Sequence, residues 1–132
     1  YWTIAAGAME PATAISADFA MGLLEALAQR ATGAGAVLLV GYDGQAPGLL
    51  RQVAQTEGLL GGALVLGPAT AGRPRLRLVL VDGEAPAVAA PVAAGNAMAP
   101  LLVLFAAIAR GDGVALLPAG PGRVLRVELD HG

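Results

Sequence analysis

Few residues in this 132-residue chain are of a type that does chemistry, and none is a cysteine. Thiol catalysis, thiolate metal sites and disulfides are therefore excluded within it. Ser16 and Asp18 stand at a polar corner between two apolar stretches, a place for a nucleophile or a poised carboxylate. Ser16 has no histidine near it in sequence to take its proton, so hydrogen bonding within the corner is the better-supported role. The single histidine, His131, reads as part of a polar C-terminal tail. Asp43 follows an apolar run, at the carboxyl end of a candidate strand where α/β proteins place ligand contacts. Tyr42 and Gly44 beside it equally make an ordinary turn, which is the favoured reading. Arg73, Arg75 and Arg77 form a basic stripe suited to an acidic partner, although a solvated strand face that discourages edge pairing explains them more simply. No His, Asp and Glu cluster has metal spacing, and Gly33-Ala34-Gly35 and Gly61-Gly62 lack the spacing of a phosphate loop. Neither a metal nor a nucleotide cofactor is expected.

Composition says what kind of scaffold holds these residues. The chain is long enough for one domain with a real core, taken as residues 1–132. It is 56% apolar but only 4% aromatic, which suits close packing of helices on sheets rather than an aromatic binding face. A net charge of −2 gives no electrostatic reason to expect nucleic acid or an anionic membrane. The longest apolar run, Met98 to Ala109, is shorter than the ~20 residues that span a bilayer and reads as a buried helix. The chain begins at Tyr1 rather than Met, so an upstream segment is expected; Tyr1–Gly7 has no signal-peptide character, and a cytoplasmic location is expected.

The stretch from Thr13 to Gly33 organises the rest. Thr13-Ala14-Ile15-Ser16 is short, β-favouring and apolar enough for a buried strand. Asp18 can cap a following helix, because a carboxylate accepts bonds from first-turn N–H groups and suits the dipole there. Phe19, Leu23 and Leu27 recur every four residues, with Ala20 and Leu24 beside them, and Gly33 stops the helix. Ala36–Val40 reads as a strand buried on both faces, so strand, helix and strand imply a right-handed crossover between parallel strands.

Further on, Gly48–Glu57 reads as a helix with Leu49, Leu50 and Val53 inward, and Gly61–Gly67 as a strand. Arg75–Val81 alternates, with Leu76, Leu78 and Leu80 on one face and Arg75 and Arg77 on the other. The Pro/Gly turn between those two strands implies that they are antiparallel neighbours. Gly83–Pro91 reads as a loop, after which Asn96 caps a helix made apolar almost all round by Leu101, Leu102, Leu104, Phe105 and Ile108. Arg110-Gly111 ends it, and Val114–Leu117 and Val124–Leu129 are strands around the Pro118–Gly122 turn. Tyr1–Ala6 is either a helix end or a short strand.

Thr13 to Gly22 can be laid without gaps on the motif T-x-I-S-T-A-C-A-S-G, with Gly7 and Pro11 where that motif's approach carries glycine and proline. The stretch resembles the nucleophile elbow of β-ketoacyl synthases, the thiolase-fold condensing enzymes of fatty-acid and polyketide synthesis. The strand Ala36–Val40 and the run Gly61-Gly62-Ala63-Leu64-Val65-Leu66-Gly67 resemble the strands that follow the elbow in that family. The family's nucleophilic cysteine falls on Phe19, and a phenyl ring cannot be acylated. Gly95-Asn96 stands where the family's histidine-bearing helix would open, and an amide cannot transfer protons as imidazole does near neutral pH.

What the resemblance implies is an α/β fold: a shortened thiolase-like half, a mixed sheet with packed helices. Short chain-length-factor-like members, such as those of aryl-polyene-type clusters, are similar to this chain at Tyr1-Trp2-Thr3-Ile4, Gly7 and Thr13–Ala17. The implied function is that of a non-catalytic partner of an active β-ketoacyl synthase, as a heterodimer or paired with itself. Ser16, Asp18, Phe19 and Met21 would surround the former reactive pocket, Phe19 and Met21 as apolar filler. Asn96 would hold the second position, and Arg73, Arg75 and Arg77 would offer a contact for an acyl carrier protein. Two rival readings are an acyltransferase using Ser16 or Asp18, and a homodimeric module that holds an acyl chain.

Overall fold

A computed structural model describes residues 2–53, 56, 58–88, 95–111 and 113–131; the side chains of Trp2 and His131 lie outside the described set. The elements in order are α1 (Trp2–Ala5), α2 (Phe19–Ala31), β1 (Val37–Gly44), β2 (Leu59–Leu66), β3 (Pro74–Asp82), α3 (Pro100–Arg110), β4 (Gly113–Pro118) and β5 (Arg123–His131), with a 3-10 turn at Gly48–Gln52. They build two sheets, a β1–β2 ribbon and a three-stranded sheet ordered β3-β5-β4.

Helix α2 buries Phe19, Ala20, Leu23 and Ala26, the face that the four-residue spacing predicts. Gly33 and Gly111, both at positive φ, follow the last turns of α2 and α3, where a left-handed residue ends a helix without a Cβ clash. Leu101, Leu104 and Ala107 of α3 meet Leu23, Leu117, Leu125 and Val127 in one core. Each large aliphatic side chain so buried is worth roughly 1.5–3 kcal/mol of transfer free energy. Inward residues of the ribbon and of β3, among them Leu39, Leu64, Leu76 and Leu78, pack against that core. The α/β class and the β4–β5 hairpin agree with the sequence reading. No described helix is long and apolar enough to cross a membrane.

Several local expectations give way. Residues 13–16 are not a strand but exposed chain: no described strand pairs with them. The parallel crossover is therefore absent: every strand pair among the described residues is antiparallel. β2 and β3 do not pair with each other. β3 instead matches β5 along its whole length, from Pro74 opposite His131 to Asp82 opposite Arg123, which satisfies more backbone than a short hairpin would.

Of the helix expected at residues 48–57, Gly48–Gln52 is a 3-10 turn instead, and residues 54, 55 and 57 lie outside the described residues. The turn's Leu49 and Leu50, and Val53 just after, are exposed, no described element packing over them. Asn96 does not cap α3. The helix starts at Pro100, whose fixed φ and missing N–H suit the first helical turn. Nor is α3 buried all round: Ala106, Ala109 and Arg110 are exposed. Tyr1–Ala6, left open between helix and strand, contains the short helix α1.

Candidate functional site

Phe19 is the first residue of α2, and its ring is only 4% exposed. It lies against β1 at Gly41: a Cβ built there would stand 3.1 Å from Phe19 Cδ2 and 3.1 Å from Met98 Sδ. Ring and thioether thus both close on one glycine, at the junction of α2, β1 and the entry to α3. A residue with a side chain at position 41 would hold them off, which is why the strand carries glycine there.

Two residues along the same face of β1, Asp43 organises a polar cluster. Its Oδ1 accepts from the Gly44 amide at 2.9 Å, and its Oδ2 from the Thr56 hydroxyl at 2.8 Å and the Ala97 amide at 3.1 Å. Asn96, 5% exposed, donates through Nδ2 to the Asp43 carbonyl at 3.3 Å and accepts the Met98 amide on Oδ1 at 2.9 Å. Asp43 is the last residue but one of β1 rather than part of a free turn. Its carboxylate, bonded to three donors, pins the chain before α3 to the end of the strand.

Phe19 and Asn96, expected from the resemblance at the elbow and at the second position, thus both meet β1, at Gly41 and Asp43, although they are far apart in sequence. The other elbow residues are not drawn in. Ser16 and Asp18 are exposed, as is Met21 at 38%. Asp18 occupies the N-cap position without a side-chain cap bond, and its carbonyl accepts the amides of Met21 at 3.0 Å and Gly22 at 3.2 Å instead. The site presents an aromatic ring, a thioether and an amide whose nitrogen and oxygen are both engaged. Among the described residues no group of three or more His, Cys, Asp or Glu side chains could hold a metal.

Arg75 and Arg77 lie on β3 and Arg73 just before it. In register, Arg75 faces Asp130 and Arg77 faces Glu128. Arg77 Nη1 lies 3.8 Å from Glu128 Oε2, while Arg126 Nη2 lies 3.2 Å from Glu128 Oε1. The basic stripe is thus interleaved with carboxylates from β5.

Sequence reasoning missed Met98 and Thr56 as parts of the site; the lone glycine inside the apolar run of β1 was the available signal of a close approach. It also missed an open cleft of about 430 Å³ on the far side of α3, walled by Val88, Leu102, Ala106, Val114 and Leu116.

Residues 1–116 match the family model described as "Beta-ketoacyl synthase, N-terminal domain". No curated protein and no solved structure gives a match. The two short packed sheets and their helices fit a partial, shortened thiolase-like α/β fold.

Proposed function

Because the chain belongs to the β-ketoacyl synthase N-terminal-domain family, we propose that it is a non-catalytic homologue serving as a chain-length-factor-like partner of an active synthase. That partnership would operate in cytoplasmic fatty-acid, polyketide or aryl-polyene-type synthesis. The observation that carries the reading is Phe19. By resemblance it stands at the family's nucleophile position, and its ring is buried against Gly41 and Met98 where a reactive sulfur would need access to a thioester. Asn96 supports it, since its amide is tied to Asp43 and Met98 and offers no imidazole-like proton transfer. The exposed arginines of the β3 region, Arg73 and Arg75, together with Arg77, are the contact proposed for an acyl carrier protein.

Incubation with a mass-tagged acyl thioester tests the non-catalytic role, with no persistent covalent adduct expected; acylation at Ser16 would make the chain an acyltransferase instead. Affinity purification from cells that make it tests the partnership. Recovery of a cysteine-bearing synthase in stoichiometric amount is expected, and its absence would remove the heterodimer.

A further inference from the structure

The chain has three methionines and no cysteine, so thioethers are its only sulfur groups open to oxidation. They stand at three depths. Met9 is 94% exposed, Met21 is 38% exposed on α2, and Met98 is 7% exposed at the entry to α3.

Met98 is held on several sides. Its sulfur stands over Gly41, 3.1 Å from where a Cβ on that residue would lie. Its amide donates to Asn96 Oδ1 at 2.9 Å, and its carbonyl accepts the Leu101 amide of α3 at 2.9 Å. One residue earlier, the Ala97 amide is tied to the Asp43 carboxylate at 3.1 Å. Oxidation changes what this position can hold. A thioether packs as an adaptable apolar group, whereas a sulfoxide is polar and its oxygen demands a donor. The amides of Ala97 and Met98 and the Asn96 side-chain amide are already engaged, with Asp43 and Asn96. An oxygen buried there either stays unsatisfied or takes a donor from its present acceptor. Both outcomes work against the seat over Gly41.

We infer that Met98 is a redox-sensitive latch: oxidation of its sulfur by a peroxide releases the entry to α3 from the end of β1. In that step a sulfur lone pair attacks one oxygen of hydrogen peroxide and the O–O bond breaks. The sulfur–oxygen bond forms, the thioether loses two electrons, and the second oxygen leaves as water. A dithiol-dependent sulfoxide reductase reverses it, the oxygen leaving as water while the dithiol becomes a disulfide. Burial sets the threshold. Met98 meets peroxide through a local opening that breaks the Asp43 and Asn96 bonds, whereas Met9 and Met21 react without one and consume oxidant first. The latch does not depend on the partnership proposed above.

The test is a peroxide time course on the purified chain. Peptide mass mapping follows the added oxygen at each methionine, and thermal unfolding is measured at the same times. Met98 is expected to oxidise about tenfold or more slowly than Met9. The unfolding midpoint should hold while only Met9 and Met21 carry oxygen, then fall by about 5 °C or more as Met98 is oxidised. Reductase treatment should restore it. Met98→Leu keeps a similar volume without the sulfur, and its midpoint should not move under peroxide. Asp43→Asn should speed oxidation of Met98 and leave the rate at Met9 unchanged. Met98 oxidation in step with Met9, a midpoint that falls before Met98 reacts, an equal fall in Met98→Leu, or an unchanged Met98 rate in Asp43→Asn would each overturn the inference.

Discussion

Gly41 and Gly62 face each other across the β1–β2 ladder, and different side chains press on each. Phe19 and Met98 close on Gly41, while a Cβ at Gly62 would stand 2.7 Å from Phe105 Cε2 and 2.9 Å from Leu101 Cδ1. The pair removes two side chains from the centre of the ribbon's inner face, and α2 and α3 settle into the space.

Gly62→Ala should destabilise the fold by about 1–3 kcal/mol, since Leu101 is 1% exposed and has little room to retreat. Gly41→Ala should cost less, because its nearest neighbours stand at 3.1 Å. Urea denaturation of the two variants should give midpoints in that order, both below the parent chain.

Phe19→Ala should cost on the order of 3–5 kcal/mol, the penalty for emptying an aromatic site in a packed core. Phe19→Leu should cost less. Neither variant should form an acyl adduct, so stability changes while labelling stays at background.

Asp43→Asn replaces one acceptor oxygen with a donor facing the Thr56 hydroxyl, the Ala97 amide or the Gly44 amide. A loss of about 1–3 kcal/mol is expected from the unsatisfied group. Asn96→Ala removes the reciprocal tie, and the double variant should lose less than the two single losses combined, because both act on the same junction. Thermal unfolding of the four chains measures this.

Arg77→Ala should change stability by less than about 1 kcal/mol, since its pair with Glu128 is exposed on the arginine side. If the β3 arginines meet an acyl carrier protein, Arg75→Ala should weaken that binding without moving the unfolding midpoint. Added salt should weaken the parent interaction in the same way.

How far these features were legible depends on whether local residues decide them. The α2 face followed from the spacing of Phe19 and Leu23, and the β4–β5 hairpin from two short apolar runs around Pro118–Gly122, because neighbours in sequence supply the partners. Strand pairing was harder. Residues 13–16 have strand-forming types, yet a strand exists only where another edge pairs with it, and no described strand pairs with them. The turn before β3 looked like a hairpin connection, whereas the full-length register with β5 is a long-range choice that no short window contains. At the site, Phe19 and Asn96 were singled out from motif likeness. Their assembly on β1 needed Asp43, whose bonds to Thr56 and Ala97 span remote parts of the chain.

The pairing of β3 with β5 has a consequence for biosynthesis. A ribosome makes β3 well before β5, with all of α3 and β4 in between. During that interval Leu76, Leu78 and Leu80 have no ladder to join, and a nascent strand with open edges is prone to intermolecular pairing. Its interleaved arginines, Arg75 and Arg77, repel a second nascent copy of the same strand. Like charges on two such strands disfavour their pairing until β5 supplies Glu128 opposite Arg77.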